Sequence, residues 1–536
     1  MSQFVYAFEL RGIQGFLFNT GRLKDMIQAS ELIDYVFSSP LDAALTIVGV
    51  NPEEAQPRRA GGAAYLALDS HAQAQRLRDI WSLFVLQLLP GIELVDAIAE
   101  GDSVRAAVKA ALDQLQVSRN QPSAQLPLAT PITALAPRTG EPAVSKERKE
   151  SLDLSTAVRR QAKRAGAGLM SRFGDDSLQW PNNFEADAHE SRRFPVNADS
   201  FVGMLHLDGN GIGVLLRKLN EAASRFDDAA YINAYQTFSK GLEQVTCAAA
   251  RKATEEILIP AQTEKGVMPA RPIVLGGDDL TILLRSDVAV PFAQSFATHF
   301  ELLSEEFIQQ LKEVLKNSEL PEKLTVSGGL VFVKPGFPFS QASALAESFA
   351  EIAKSVGVNA NQEKVSALAM HRIQGATGDS ATSLFEREHC VHGSGSEAGI
   401  ELSLAAYGLT VGSEDVLPSI SVLQRTVEAC LTPVFSKARL RSLLDLLYQN
   451  IDMAKADYCR WRANMRKKDS AAAVFKAFED NLSELVGVLD EDLPCTKALN
   501  AQGRRQTAIM DLMVLLEANM VSPLNCEAKE LSNANE

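Results

Sequence analysis

The stretch Phe201-Val202-Gly203-Met204-Leu205-His206-Leu207-Asp208-Gly209-Asn210-Gly211-Ile212-Gly213 is an apolar run that ends in an acid and then in glycines. About 70 residues on, Pro272-Ile273-Val274-Leu275-Gly276-Gly277-Asp278-Asp279-Leu280-Thr281-Ile282-Leu283-Leu284 places two apolar runs around a Gly-Gly-Asp-Asp turn. Short apolar runs bounded by glycine predict buried strands. Between the two, Tyr235, Phe238, Leu242, Val245 and Ala249 recur three and four residues apart, which predicts a long helix. Downstream, Phe292, Phe296, Leu303, Phe307, Leu311 and Val314 mark another helix. A strand over 324–333, a helix over 340–355 and a strand over 364–373 follow. The order β-α-β-β-α-β, with additions, predicts an α+β, ferredoxin-like sheet of the kind palm domains use, over residues 200–376.

The acids sit where such a sheet can use them. Joining a 3′-hydroxyl to an α-phosphate needs a more nucleophilic oxygen and a neutralised phosphoryl group. Two divalent cations roughly 4 Å apart supply both, and Mg2+ or Mn2+ prefer carboxylate oxygens. Asp208 ends one strand, and Asp278 and Asp279 lie at a turn between two others. These three are the expected metal ligands and catalytic residues. Gly276 and Gly277 give the turn conformations closed to other residues and let a nucleotide approach the backbone. Gly209-Asn210-Gly211 leads into a helix whose first N–H groups are candidates to cradle a triphosphate, and Lys354 is placed to meet the terminal phosphate. His206 shares strand parity with Asp208 and reads as a structural histidine. His389 and His392 flank Cys390 without a second ligand pair nearby, and Asp175-Asp176 reads as loop.

The first 140 residues read as a related unit: a strand over 4–10, a Gly12-Ile13-Gln14-Gly15 turn, a helix through Leu23, Met26, Ile27, Ile33, Val36 and Phe37, then strands over 63–68 and 92–99. Its Gly61-Gly62-Ala63-Ala64 carries alanines where the later turn has aspartates, as in a diverged duplication. Residues 141–199 form a connector, in which Arg159, Arg160, Lys163 and Arg164 are either a solvated helix face or a contact for a partner or RNA. A linker over 377–399 contains Gly393-Ser394-Gly395-Ser396. Residues 400–536 read as a helical bundle, with helices over 423–430, 438–453, 472–488 and 507–518.

A chain of 536 residues implies roughly two to four domains. Its 46% hydrophobic and 22% charged content is that of a soluble globular protein, and the start shows no secretory signal. No apolar run reaches the roughly 20 residues of a membrane span. The six cysteines have no Cys-x-x-Cys spacing, which fits free thiols in a reducing cytoplasm. A net charge of −14 argues against a stand-alone high-affinity nucleic-acid binder. It leaves room for nucleotide triphosphates, and for RNA held mainly by partner subunits.

At these motifs the sequence resembles the large palm-domain subunit of type III CRISPR effector complexes, the family that makes cyclic oligoadenylate from ATP. Gly12-Ile13-Gln14-Gly15-Phe16, Arg22-Leu23-Lys24-Asp25 and Ala29-Ser30-Glu31-Leu32 resemble the opening of its first palm. Thr139-Gly140-Glu141-Pro142-Ala143-Val144 resembles the segment around its zinc knuckle, and the two aspartate motifs resemble the metal-binding elements of its second palm. Ser327-Gly328-Gly329-Leu330 and Ala353-Lys354 match its later strand and helix, which adds Ser327 to the residues expected to hold nucleotide. The chain departs from the expected patterns at several points, among them Asn210 at the second acidic position after Asp208. It starts at the first palm with no His-Asp dipeptide, so no HD nuclease is expected. The knuckle cysteines are missing, so no zinc is expected. Val358 stands where diguanylate cyclases place a phosphate-gripping arginine. The resemblance implies a catalytic second palm, a non-catalytic first palm, ATP as substrate with two Mg2+ or Mn2+ ions, and antiviral defence in the cytoplasm. Guide or target RNA and other effector subunits would meet the helical bundle; alternatively the chain is a homodimer acting alone. The rival readings are a non-catalytic RNA-binding scaffold subunit and a GTP-using, GGDEF-like diguanylate cyclase.

Overall fold

A computed structural model of the chain describes residues 3–52, 58–60, 62–121, 132–162, 168–182, 201–223, 225–263, 265–316, 319–373, 375, 380–393 and 398–518. Its first sheet contains β1 (Gln3–Arg11), β2 (Arg58–Ala60), β3 (Ala63–Leu68) and β4 (Glu93–Gly101), in the order β2-β3-β1-β4. All neighbours are antiparallel. With helices Leu23–Val36 and His71–Leu88 crossing between strands, this is the ferredoxin-like arrangement expected for residues 1–140. β1 is buried on both faces, because Tyr6 and Phe8 face one hydrophobic cluster and Val5 and Ala7 the other.

A hairpin of β5 (Ala143–Glu147) and β6 (Glu150–Asp153) follows, with a helix Leu154–Gln161 whose start is capped by Asp153. Here the sequence reading needs correction. Arg159 and Arg160 are neither a solvated face nor an open RNA contact. The Arg159 guanidinium lies 3.9 Å from the centre of the Phe16 ring and donates to Asn19 and Ser155. Arg160 bonds Asp25 through both Nε and Nη2, and also reaches Glu147 and Glu150. Both guanidinium groups are drawn inward by acceptors on the first sheet's helix and its approaches, a pairing that helical periodicity does not reveal. Lys163, Arg164, Gly61, Ser394, Gly395 and Ser396 lie outside the described residues.

The second sheet contains β7 (Val202–Gly209), β8 (Ala270–Gly276), β9 (Asp279–Arg285), β10 (Val326–Val333) and β11 (Ala367–Arg372). β12 (Cys390–Val391), β13 (Ile400–Glu401) and β15 (Arg505–Gln506) form a small separate sheet, while β14 (Tyr407–Gly408) joins the large one. The large sheet runs β14-β11-β10-β7-β9-β8, so its core repeats the order of the first. Helices Asp228–Ala253 and Ser286–Leu315 cover one face, with Leu205 and Leu207 beneath them. Helix Phe339–Val356 covers the other, over Val202 and Met204. Each hydrophobic cluster takes side chains from both sheets, so the two units are packed together.

The C-terminal region is mainly helical, as expected, with helices Ile420–Cys430, Lys437–Gln449, Ile451–Met465, Asp469–Val486 and Ile509–Glu517. It also lends β14 to the second sheet. The single helix expected over 438–453 is broken at Asn450, which is extended and whose side chain caps Met453 N–H at 3.0 Å. No helix among the described residues is long and apolar enough to cross a membrane.

Candidate active site

Strand register brings the expected residues together. Leu207 pairs with Leu280 and Gly276 with Asp279, so Asp208 at the end of β7 lies beside the β8–β9 turn. Gly277 closes that turn at φ +64°, in the left-handed region that favours glycine. Asp208, Asp278 and Asp279 each offer a carboxylate oxygen within 4.8 Å of the others, and they are the one group of this kind among the described residues. Gly209 is a steric requirement of this arrangement. A Cβ there would lie 2.7 Å from the Asp278 Cβ. Cβ positions at Gly211, Gly276 and Gly277 open onto free space, which leaves the backbone approachable.

Lys354 Nζ donates to Asp208 Oδ2 and, at 3.0 Å, to Glu351 Oε1 one helical turn back. Its helix can reach the strand because β10 carries Gly329 on the face it crosses. A Cβ at Gly329 would lie 1.9 Å from the Ala346 carbonyl oxygen. From beneath, the buried Thr246 hydroxyl lies 2.7 Å from the Gly277 carbonyl and 2.9 Å from that of Leu242.

One ammonium does not balance three acids. Burial works to raise the Asp208 pKa, but hydrogen bonds from Asp279 and Lys354, with the lysine's charge, outweigh it and hold the carboxyl below its ordinary range. Burial and then the Asp208 charge push Asp278 upward. Asp279 is raised too, by burial of its carboxyl first, then by the hydrogen bond to Asp208 and the charge of Asp278. The residue's outer side is exposed, so water offsets part of that desolvation.

Not every expected contact is available. The Asn210 side chain accepts from the Ser327 hydroxyl at 3.1 Å and donates to Thr325 and Val365. Its N–H bonds the Thr325 carbonyl at 2.8 Å. Both Asn210 and Ser327 are buried, so their side chains brace the glycine loop internally, where the sequence reading had them holding nucleotide. His206 is buried and 3.1 Å from Thr281 Oγ1, as a structural histidine would be. His389 turns inward to His371 at 3.1 Å and does not gather with Cys390 and His392 around a metal site. Glu351 and Thr246 were missed in the sequence. The first was signalled only by its i−3 spacing from Lys354, the second only as a polar residue on an apolar helix face.

Residues 201–362 match the family model described as Cas10/Cmr2, second palm domain. The second sheet is a Cas10-like palm. The resemblance to the large palm subunit of type III CRISPR effectors therefore holds over the palm that carries the aspartates. Among solved structures, a Csm1–Csm4 cassette in complex with cA4 aligns with a TM-score of 0.49 at 13% identity, covering 96% of this chain and 70% of that one. Csm1 in T. onnurineus gives 0.49 at 13%, covering 96% and 69%. A Csm1–Csm4 cassette in complex with one ATP gives 0.48 at 12%, covering 96% and 70%. No curated protein matches the chain's sequence.

Proposed function

We propose that the chain is a nucleotidyl cyclase that joins ATP into a cyclic oligoadenylate signal at its second palm, within a type III CRISPR-like antiviral system. The observation that carries this reading is the meeting of Asp208, Asp278 and Asp279 at one end of a Cas10-like palm. The donor set fits hard divalent cations: three carboxylates share one lysine, and two of them are driven toward protonation by burial and by the neighbouring acids. Held by these three residues, two Mg2+ or Mn2+ ions would neutralise the triphosphate and favour the attacking hydroxyl.

The remaining work falls to the chain. Gly276 and Gly277 leave room for a nucleotide beside the acids. Gly209 and Gly211 carry the backbone past Asp278 to the start of helix Ile212–Ala223, where its first N–H groups face the phosphates. Lys354, tethered by Glu351, donates to a phosphate oxygen. Asn210 and Ser327 keep the glycine loop on β10. As a Cas10-like subunit, the chain would meet guide or target RNA and other effector subunits through its C-terminal helices.

The test is to incubate the protein with ATP and Mn2+, with GTP in parallel, and to resolve products by chromatography. A cyclic adenylate product is expected, with at least a roughly thousandfold loss of turnover in an Asp278→Ala/Asp279→Ala double variant. No cyclic product, or equal product from the double variant, would reject the reading; a product from GTP alone would replace ATP in it.

A further inference from the structure

β8 is the outer strand of the second sheet, and it leads straight into the Gly276-Gly277-Asp278-Asp279 turn. An edge strand presents unpaired backbone groups along its free side. Here that side is covered by the first palm's helix Leu23–Val36 and by the connector's short helix Gly168–Ser171. The register slips between Pro272 and Val274, which frees the Ile273 carbonyl, and the Ser30 hydroxyl donates to it. Two residues on, next to the turn, the Leu275 carbonyl accepts from Arg172 Nη1. The same guanidinium uses Nη2 to hold Asp34 on the first palm's helix, and lies 3.6 Å from Glu243 on helix Asp228–Ala253. Arg271 adds a link at 3.7 Å to Glu31, one residue after Ser30. The fit at Arg172 is close. A Cβ on Gly168, at the start of the short helix that presents Arg172, would lie 2.3 Å from Asp34 Oδ2.

We infer that Arg172 is a positioning residue. Together with Asp34 and Ser30, it makes the first palm a clasp on the edge of the catalytic hairpin and sets the carboxylates of Asp278 and Asp279 against Asp208. The first palm thus acts on the second through the backbone of its edge strand. This inference rests on the proposed function only for its effect on turnover. The hold on the hairpin stands on the contacts alone.

Arginine is needed at this position. A planar guanidinium can serve a carbonyl and a carboxylate at once, whereas a lysine ammonium lacks that fork. Groups one layer behind metal ligands typically change metal affinity about 10–100-fold when removed. The experiment compares wild type with Arg172→Lys, Asp34→Asn and, as a distant control, Arg425→Ala. Amide exchange of peptides spanning 273–281 and Mn2+ affinity by calorimetry are both read on the full chain. Arg172→Lys should speed exchange in that window about tenfold. It should weaken Mn2+ about tenfold or more and, where turnover is measurable, lower kcat with little change in KM. Asp34→Asn keeps a hydrogen-bond acceptor and should show a smaller change of the same pattern; it also covers the case in which Arg172→Lys fails to fold. Unchanged exchange in both variants would overturn the inference, as would an equal rise across every peptide. If the wild type makes no product, the proposed function fails, and the exchange measurement still decides the clasp.

Discussion

The two palms share one plan and differ in how many acids meet at the same corner. In the second, Asp208 lies beside the turn closed by the Gly276–Asp279 pair. In the first, the equivalent turn is closed by Ala60 and Ala63, and Glu9 on β1 pairs with Ala63. Register therefore aligns Ala63 with Asp279, Gly62 with Asp278 and Glu9 with Asp208, a shift of one from the alignment read off the two glycine pairs. The cation is duplicated as well. Arg119, at the end of the helix after β4, donates to Glu9 at 2.6 and 2.5 Å, as Lys354 in the corresponding helix donates to Asp208. One acid with one bidentate arginine is a satisfied ion pair. Three acids around one lysine leave negative charge uncompensated. The two corners differ by two carboxylates.

Substitutions at the two corners should separate their roles. The largest effect short of removing the acids should come from Lys354→Met, which takes away the ammonium that donates to Asp208. Turnover should fall about 10–100-fold, while Mn2+ binding persists because the three ligands remain. Loss of Mn2+ binding in that variant would mean that the lysine organises the acids. Next, Gly329→Ala drives a methyl group into the Ala346 carbonyl, and should cost about 1–3 kcal/mol in a denaturant titration. Wild-type stability there would mean that helix Phe339–Val356 is not held against β10 as described.

A smaller effect concerns pH without metal. Asp278 and Asp279 are raised in the folded chain, so they bind protons more tightly there than when unfolded. Their contribution is full below the ordinary carboxylate range and is lost as pH rises through their raised values. Asp208 is lowered and acts in the opposite sense, contributing above the ordinary range and failing as pH falls through its own value. In EDTA, the denaturation midpoint should therefore fall between mildly acidic and neutral pH. An Asp278→Asn/Asp279→Asn variant should flatten that slope, and an unchanged slope would place the titration elsewhere.

Much of this was legible in the sequence because the decisive signals are local. Apolar strands that end in acid and glycine announce both the sheet and its acidic corner, and Asp208, Asp278 and Asp279 do meet. What stayed hidden depends on pairing over distance. The Glu9–Arg119 counterpart joins residues 110 apart and appears only once the register is known. Arg159 and Arg160 read as surface because their partners Asn19 and Asp25 lie far back in the chain. β14 is two residues long, too short to show any period. Asn450 interrupts a helical pattern by acting as a cap, which periodicity cannot distinguish from a polar face.

The measurement closest to the central claim sets the two corners side by side. Asp208→Asn and Glu9→Gln remove one charge from register-equivalent acids, and both proteins are assayed for cyclic product from ATP with Mn2+. Asp208→Asn should lose product by at least about a hundredfold, and Glu9→Gln should keep it. Equal loss in both, or product retained by Asp208→Asn, would contradict the assignment of catalysis to the second palm alone.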